Sequence, residues 1–195
     1  MIQHLFDGVL VGAILSLGAI GLTLTMHILR FANFSHAELL SLGAYAALVF
    51  DGVFAAALPV LSNSLGRLSV SVALFGAIVI AMTVTGLSAV AIDRLVFRRL
   101  RARAGPLSMV FASFGVALIV RNLIGLVFGL GPKLYSDDIA FAFVLSADPM
   151  VLVKPDQLFV LAVTLVLMIG VHLVLTLTPF GLALQAVSEN PVLAQ

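Results

Sequence analysis

The stretch LSVSVALFGAIVIAMTVTGLSAVAI, residues 68–92, holds 25 consecutive residues without a single Asp, Glu, Lys or Arg. At about 1.5 Å per residue such a helix reaches about 37 Å, enough to cross the ~30 Å hydrocarbon core of a bilayer. A barrel strand would be only about 9–11 residues long, with alternating polarity. The run is long and uninterrupted, so it reads as a transmembrane α-helix.

Working outward from it, residues 8–29 carry no charged side chain, 107–130 are broken only by Arg121, and 158–178 hold His172 as their one titratable group. Composition agrees: of 195 residues, 62% are hydrophobic and 10% charged, against about 25% charged in an ordinary soluble domain. That argues against a soluble enzyme, and the apolar excess excludes disorder. A formal net charge of +1 leaves no basic face for nucleic acid. The absence of cysteine removes disulfides, Cys-ligated metal and thiol catalysis. The expected fold is an all-α polytopic membrane protein of about five transmembrane helices, one of them discontinuous.

The discontinuity is expected after the first span. Leu39 to Phe50 is an uncharged run of 12 residues, or about 18 Å of helix, too short to cross. To span, it must begin near Phe31 and carry Asn33, Ser35, His36 and Glu38 into the membrane. An outer loop with a short interfacial segment is expected over 52–66, where Pro59 and the Ser62–Gly66 cluster signal a turn.

Orientation follows from the basic residues. Arg94, Arg98, Arg99, Arg101 and Arg103 lie within ten positions, which places their loop in the cytoplasm. The 133–156 connection then faces outward, its Lys133 and Lys154 set against Asp137, Asp138, Asp148 and Asp156. Its apolar stretch Ile139–Leu145 suits a membrane surface or a partner. After the last span, Asn190-Pro191 reads as a helix start with only four residues left behind it.

Ionisable groups at membrane depth are costly, about 2.5–3.5 kcal/mol on insertion scales, and therefore point to a pathway or a partner. The segment Phe31–Glu38 is the densest such cluster. Asn33, Ser35, His36, Glu38, Ser41 and Tyr45 are the candidate translocation-pathway residues, with Glu38, Ser41 and Tyr45 recurring on one helical face. A break before Ala37 would leave backbone N–H groups free to receive a carboxylate. The competing reading is that these residues cap a helix and fix a tight turn. Arg121 could pair with Glu38 or line a polar path. Gly8/Gly12 and Gly125/Gly129 form small-xxx-small patterns, read as packing sites. No phosphate-binding loop, His-Glu-x-x-His site or nucleophile elbow is present; catalytic residues, metal and cofactor are all read as none.

Four stretches also carry a family likeness: Gly18-Ala-Ile-Gly-Leu-Thr-Leu; Leu29-Arg-Phe-Ala-Asn-Phe-Ser-His-Ala-Glu-Leu followed by Gly43-Ala-Tyr; Ile92-Asp-Arg-Leu-Val-Phe-Arg-Arg-Leu-Arg; and Pro179-Phe-Gly-Leu-Ala-Leu-Gln-Ala-Val-Ser-Glu-Asn-Pro-Val-Leu-Ala. In this order they resemble the permease subunits of bacterial branched-chain amino acid ABC transporters. Ala37, where that family commonly has glycine, and Leu182 and Gln185, where basic residues are common, depart from its pattern.

The resemblance implies that residues 1–195 form a single transmembrane permease domain, truncated at its C-terminus, in the multi-pass class of the bacterial inner membrane. It implies an importer for branched-chain or other small amino acids in which the chain is half of the pathway and not itself an enzyme. The implied partners are a second permease subunit, two ATP-binding subunits that hydrolyse ATP and an extracytoplasmic substrate-binding protein. Membrane lipid is the partner expected from the residues themselves, the arginine cluster 94–103 reading as a topology signal and lipid-headgroup contact. Ala186, Val187, Ser188, Glu189, Asn190 and Pro191 would couple to an ATPase. The alternative from the residues alone is a proton-coupled secondary transporter with Glu38, His36 and Arg121 as its relay.

Overall fold

The computed structural model describes residues 2–63, 68–101, 103–135, 142–147 and 150–189. Among the described residues the regular secondary structure is helical apart from one small hairpin, and five helices are long and apolar enough to cross a membrane: Ile2–Leu29, Ser35–Ala57, Val72–Arg101, Pro106–Phe128 and Pro155–Leu177. The chain divides into two compact units, Met1–Arg30 with Phe141–Gln195, and Phe31–Ala140.

In the first unit, α1 (Ile2–Leu29) packs against α6 (Pro155–Leu177). The Ser16 hydroxyl lies 3.4 Å from Met168 Sδ across that seam. A two-stranded antiparallel hairpin, β1 (Phe143–Ala147) and β2 (Met150–Val153), precedes α6, with a register irregularity between Val144 and Ser146. The Gln3 side-chain amide serves both backbone groups of Leu152, accepting from its N–H at 2.9 Å and donating to its carbonyl at 3.1 Å. It thereby satisfies backbone groups at the hairpin that have no ladder partner. Of the apolar stretch 139–145, expected to suit a membrane surface or a partner, residues 139–141 lie outside the described residues and Phe143 onward forms a hairpin strand.

After α6 the chain does not become a loop. Thr178 is extended, Pro179 occupies the first helical position, and α7 runs Pro179–Glu189. The Thr178 hydroxyl accepts from the Gly181 N–H at 3.1 Å, a hydroxyl cap on the helix start. The helix thus begins eleven residues ahead of Asn190; Asn190 and Pro191 lie outside the described residues. The Thr178-Pro179 pair supplies both the cap and the N1 residue of this helix.

The second unit contains α2 (Ser35–Ala57), a 3₁₀ turn Pro59–Ser62, α3 (Val72–Ile92), a π-helical turn Asp93–Phe97, α4 (Arg98–Arg101) and α5 (Pro106–Phe128). The α2–α3 pair is its most extensive contact. Ala47, Ala73, Ala77 and Ala81 are buried, the small residues that let helices approach where lipid removes the hydrophobic drive between them. On α5, Met109, Ser113, Val116, Val120 and Ile124 form one buried stripe at helical spacing.

Two boundaries differ from expectation. The interruption expected inside 31–50 lies at its leading edge, in residues 30–34, and α2 is continuous from Ser35 through Asp51 to Ala57. A lone carboxylate does not stop a helix; Leu58, held out of the helical region (φ −137°, ψ 71°) ahead of Pro59, does. Among the described residues the small-xxx-small glycines make no close helix–helix approach, Gly125 facing only Leu130 Cδ2, 3.4 Å from where its Cβ would be. A Cβ on Gly8 or Gly12 would meet nothing within 4 Å, and Gly129 closes α5 with φ 79°.

Candidate functional site

The site begins with the joint ahead of α2. Arg30 adopts a left-handed backbone (φ 57°), its N–H donating to the Met26 carbonyl at 2.9 Å, a helix-ending conformation usually left to glycine. Three residues later Asn33 Oδ1 accepts from the Ser35 hydroxyl at 2.6 Å and the Ser35 N–H at 3.2 Å. This local side-chain turn competes with helix and sets where α2 starts. Asn33 and Ser35 are both buried, Ser35 completely.

The joint is anchored by α5. The Phe34 N–H donates to Ser113 Oγ at 3.1 Å, and Ser113, with no exposed surface, itself donates to the Val110 carbonyl at 2.7 Å. Aromatic contacts flank it: Phe34 stacks on Phe114 at 4.1 Å and Phe31 meets Phe97 at 5.5 Å. A backbone N–H with no intrahelical acceptor is costly when buried, and Ser113 supplies the acceptor here. So Asn33 and Ser35 hold a local turn, α2 starts at Ser35 with no side-chain cap bond from its N-cap Phe34, and no break falls before Ala37.

Beyond the joint the remaining candidates part company. At about 100° per residue, His36 and Glu38 lie about 160° apart around α2. His36, half-buried, lines a groove between α2 and α3 together with Leu39, Gly43, Ala47, Ala81 and Thr85; its volume is about 490 Å³. Thr85 Oγ1 is buried there without a hydrogen-bond partner, in contrast to Thr83 and Ser88, which bond back to the preceding turn. Glu38, Ser41 and Tyr45 occupy the other side. Tyr45 packs on Phe128 at 4.6 Å, and the Ser41 hydroxyl is 3.4 Å from the Ala37 carbonyl. Arg121 is exposed and forms no ion pair with Glu38, so His36, Glu38 and Arg121 are not gathered into a relay.

Tyr135 was not anticipated. Its hydroxyl donates to the Ala44 carbonyl at 2.7 Å, in mid-α2, and its ring lines both the α2–α3 groove and a smaller cavity of about 170 Å³ with Tyr45, Leu48 and Lys133. Burial, and then the Asp51 carboxylate, raise its phenol above the ordinary tyrosine range. Only its isolation as an aromatic in a polar connection could have signalled it. Ser113 carried a clearer signal, a lone hydroxyl on the apolar face of α5.

At the other end of the chain, Ala186 is exposed on α7, and the backbones of Val187, Ser188 and Glu189 continue that helix. Asn190 and Pro191 lie outside the described residues. Gly181 is buried in the α6–α7 corner, where a Cβ would collide with the Val174 and Leu175 carbonyl oxygens. The Gln185 amide donates to the Leu175 carbonyl at 3.1 Å, one of the carbonyls α6 leaves unpaired at its end. Gln185 thus closes the corner, a role its mismatch with the basic residues common at that place had hidden.

Five apolar spans, a polar joint ahead of α2 and an apolar groove define a polytopic α-helical membrane protein. Residues 4–195 match the family described as "Branched-chain amino acid transport system / permease component", and the chain belongs to that family. It is a multi-pass protein of the bacterial inner membrane, in a family of transport permeases.

Among its relatives, the high-affinity branched-chain amino acid transport system permease protein BraD of Pseudomonas aeruginosa is 26% identical over 191 residues, 97% of this chain and 59% of the relative. The LivH permease protein of the corresponding Escherichia coli system is 31% identical over 128 residues, 66% of this chain and 39% of the relative. LivH of Salmonella typhimurium is 30% identical over the same length. The chain therefore spans 59% or less of the length of these relatives. No solved structure matches it significantly.

Proposed function

We propose that this chain is part of a permease subunit of an ATP-driven importer for branched-chain or other small amino acids, contributing to one half of the translocation pathway. The observation that carries the reading is the family match over residues 4–195, which takes in both the polar joint before α2 and the α7 corner. In this reading the pathway follows α2 from Asn33 to Tyr45. Asn33 and Ser35 fix its start, Glu38, Ser41 and Tyr45 form a polar stripe, and His36 is a polar group of the α2–α3 groove. That groove has room for an aliphatic side chain and few groups that would favour a charged one.

The partners proposed are a second permease subunit, two ATP-binding subunits and an extracytoplasmic binding protein. Residues 186–191 contact an ATPase, with α7, wedged onto α6 through Gly181, carrying motion into the span. ATP hydrolysis belongs to those separate subunits. Uptake of labelled leucine into proteoliposomes containing the full-length permease with its partners tests the reading. The expected result is uptake that requires ATP and binding protein and falls at least tenfold with Glu38→Gln. Transport that runs without ATP and collapses with a protonophore would instead establish the proton-coupled alternative.

A further inference from the structure

Half of the chain's ten basic residues lie in one ten-residue segment, Arg94 to Arg103, and the fold treats that segment unusually. By regular α-helical arithmetic, at about 100° per residue, Arg99 would lie in line with Ala81 on the buried face of α3, and Phe97 about 160° away from it. The structure shows the reverse. Phe97 is 3% exposed and sits against Phe31 at 5.5 Å, while Leu95 is 61% exposed. Arg94, Arg98, Arg99, Arg101 and Arg103 are all exposed. The difference comes from the π-helical turn Asp93–Phe97, in which the Arg98 N–H reaches back five residues to the Asp93 carbonyl. The extra residue rotates everything after it, so an aromatic side chain enters the core and the guanidinium groups stay out.

Depth gives this rotation a consequence. From Val72, about 20 residues of helix cross the hydrocarbon core and end near Ala91. Arg94 follows within one turn, and the remaining arginines occupy the next two, the level of lipid phosphates. Asp93 offsets only part of the charge, through Arg101 at 3.5 Å. Below the cluster, Leu87, Val90 and Leu95 are exposed apolar side chains leading up to it.

We propose that Arg94, Arg98 and Arg99, turned outward by the π turn, form a binding site for an anionic phospholipid. The guanidinium groups take the phosphodiester in paired hydrogen bonds, and an acyl chain follows Leu95 and Leu87 along α3. The site is independent of the transport reading, since it uses only the membrane depth and the charge. Alternation of Arg with Leu95, Phe97 and Leu100 favours lipid over an acidic protein surface, because one face of the segment serves hydrocarbon or core while the other serves charge.

Native mass spectrometry of the full chain released from mixed phosphatidylglycerol and phosphatidylcholine nanodiscs tests the site. Wild type is expected to retain phosphatidylglycerol at least fivefold over phosphatidylcholine, and Arg98→Gln/Arg99→Gln to lose that preference. Arg98→Lys/Arg99→Lys should keep about half of it, which separates lost charge from misfolding. Inorganic phosphate at millimolar concentration should not displace the lipid. Equal retention of the two lipids by wild type, an unchanged preference in the Gln variant, or full displacement by phosphate would each overturn the proposal. So would loss of an ATPase subunit from the Gln variant with its lipid preference intact.

Discussion

The Phe34 N–H and the Ser113 hydroxyl meet at 3.1 Å across 79 residues of sequence, and Ser113 has no exposed surface. This one bond ties the polar joint before α2 to the middle of the buried stripe on α5. It fixes the place at which the densest polar motif of the chain enters a helix.

Ser113→Ala leaves that part-buried N–H without its acceptor, a loss of about 1 kcal/mol. The expected outcome is a lower melting temperature in detergent and faster amide exchange at residues 34–36. Ser113→Thr, which keeps the hydroxyl, should lose much less. An unchanged melting temperature for Ser113→Ala would mean that the joint is held by Asn33 and the aromatic contacts alone.

Gly43 faces Thr85 closely: a Cβ at 43 would stand 3.1 Å from Thr85 Oγ1. Gly43→Ala is expected to destabilise the α2–α3 pair by about 1 kcal/mol, the strain outweighing alanine's better helix propensity. Thr85→Ala should relieve it, so a double-mutant cycle yields a coupling of at least about 0.5 kcal/mol. Thr85→Val, which removes an unpartnered buried hydroxyl at nearly constant shape, should be neutral or stabilising.

At the α6–α7 corner, Gly181→Ala drives a Cβ into backbone carbonyls that cannot rotate away. A cost of about 2 kcal/mol or more is expected, read as faster chymotryptic cleavage after Phe180. Gln185→Ala should show a smaller effect, since it removes a hydrogen bond without creating a clash.

The Tyr135 phenol titrates above its ordinary value of 10.0 because burial and Asp51 disfavour the phenolate. A folded-state pKa above the unfolded one stabilises fully below pH 10 and is lost as pH rises through the folded value. In a Tyr45→Phe background, ultraviolet titration should show Tyr135 ionising late, and Asp51→Asn should bring it back toward the ordinary range. Tyr135→Phe should flatten the alkaline loss of stability.

Much of the architecture is legible in residue order because the bilayer imposes a local rule: a span must be long, apolar and internally hydrogen-bonded, whatever its neighbours. The uncharged runs at 8–29, 68–92, 107–130 and 158–178 each became a helix for that reason. Helix ends were legible only where the signal was unambiguous. Pro59 marked one; at Thr178-Pro179 a stop for α6 and a start for α7 coincide, and the two signals overlie each other.

The site was legible as a segment but not as an arrangement. Asn33 through Tyr45 stood out because polar groups at membrane depth are expensive, yet residue types could not say which bonds they make. Two of the six became a buried turn, because Asn33 could bond Ser35 and because Ser113, far away in sequence, could take the Phe34 N–H. Helical rotation then put His36 on the opposite side of α2 from Glu38, Ser41 and Tyr45. Thus the sequence by itself determined the membrane, the number of spans and the cluster of arginines, all consequences of local solvation. Only the tertiary structure decided which polar groups meet, why Gly43 and Gly181 are glycine, and how the π turn keeps Arg99 out of the core. Those depend on close approaches between segments remote in the chain, or on a one-residue change of helical register that composition does not encode.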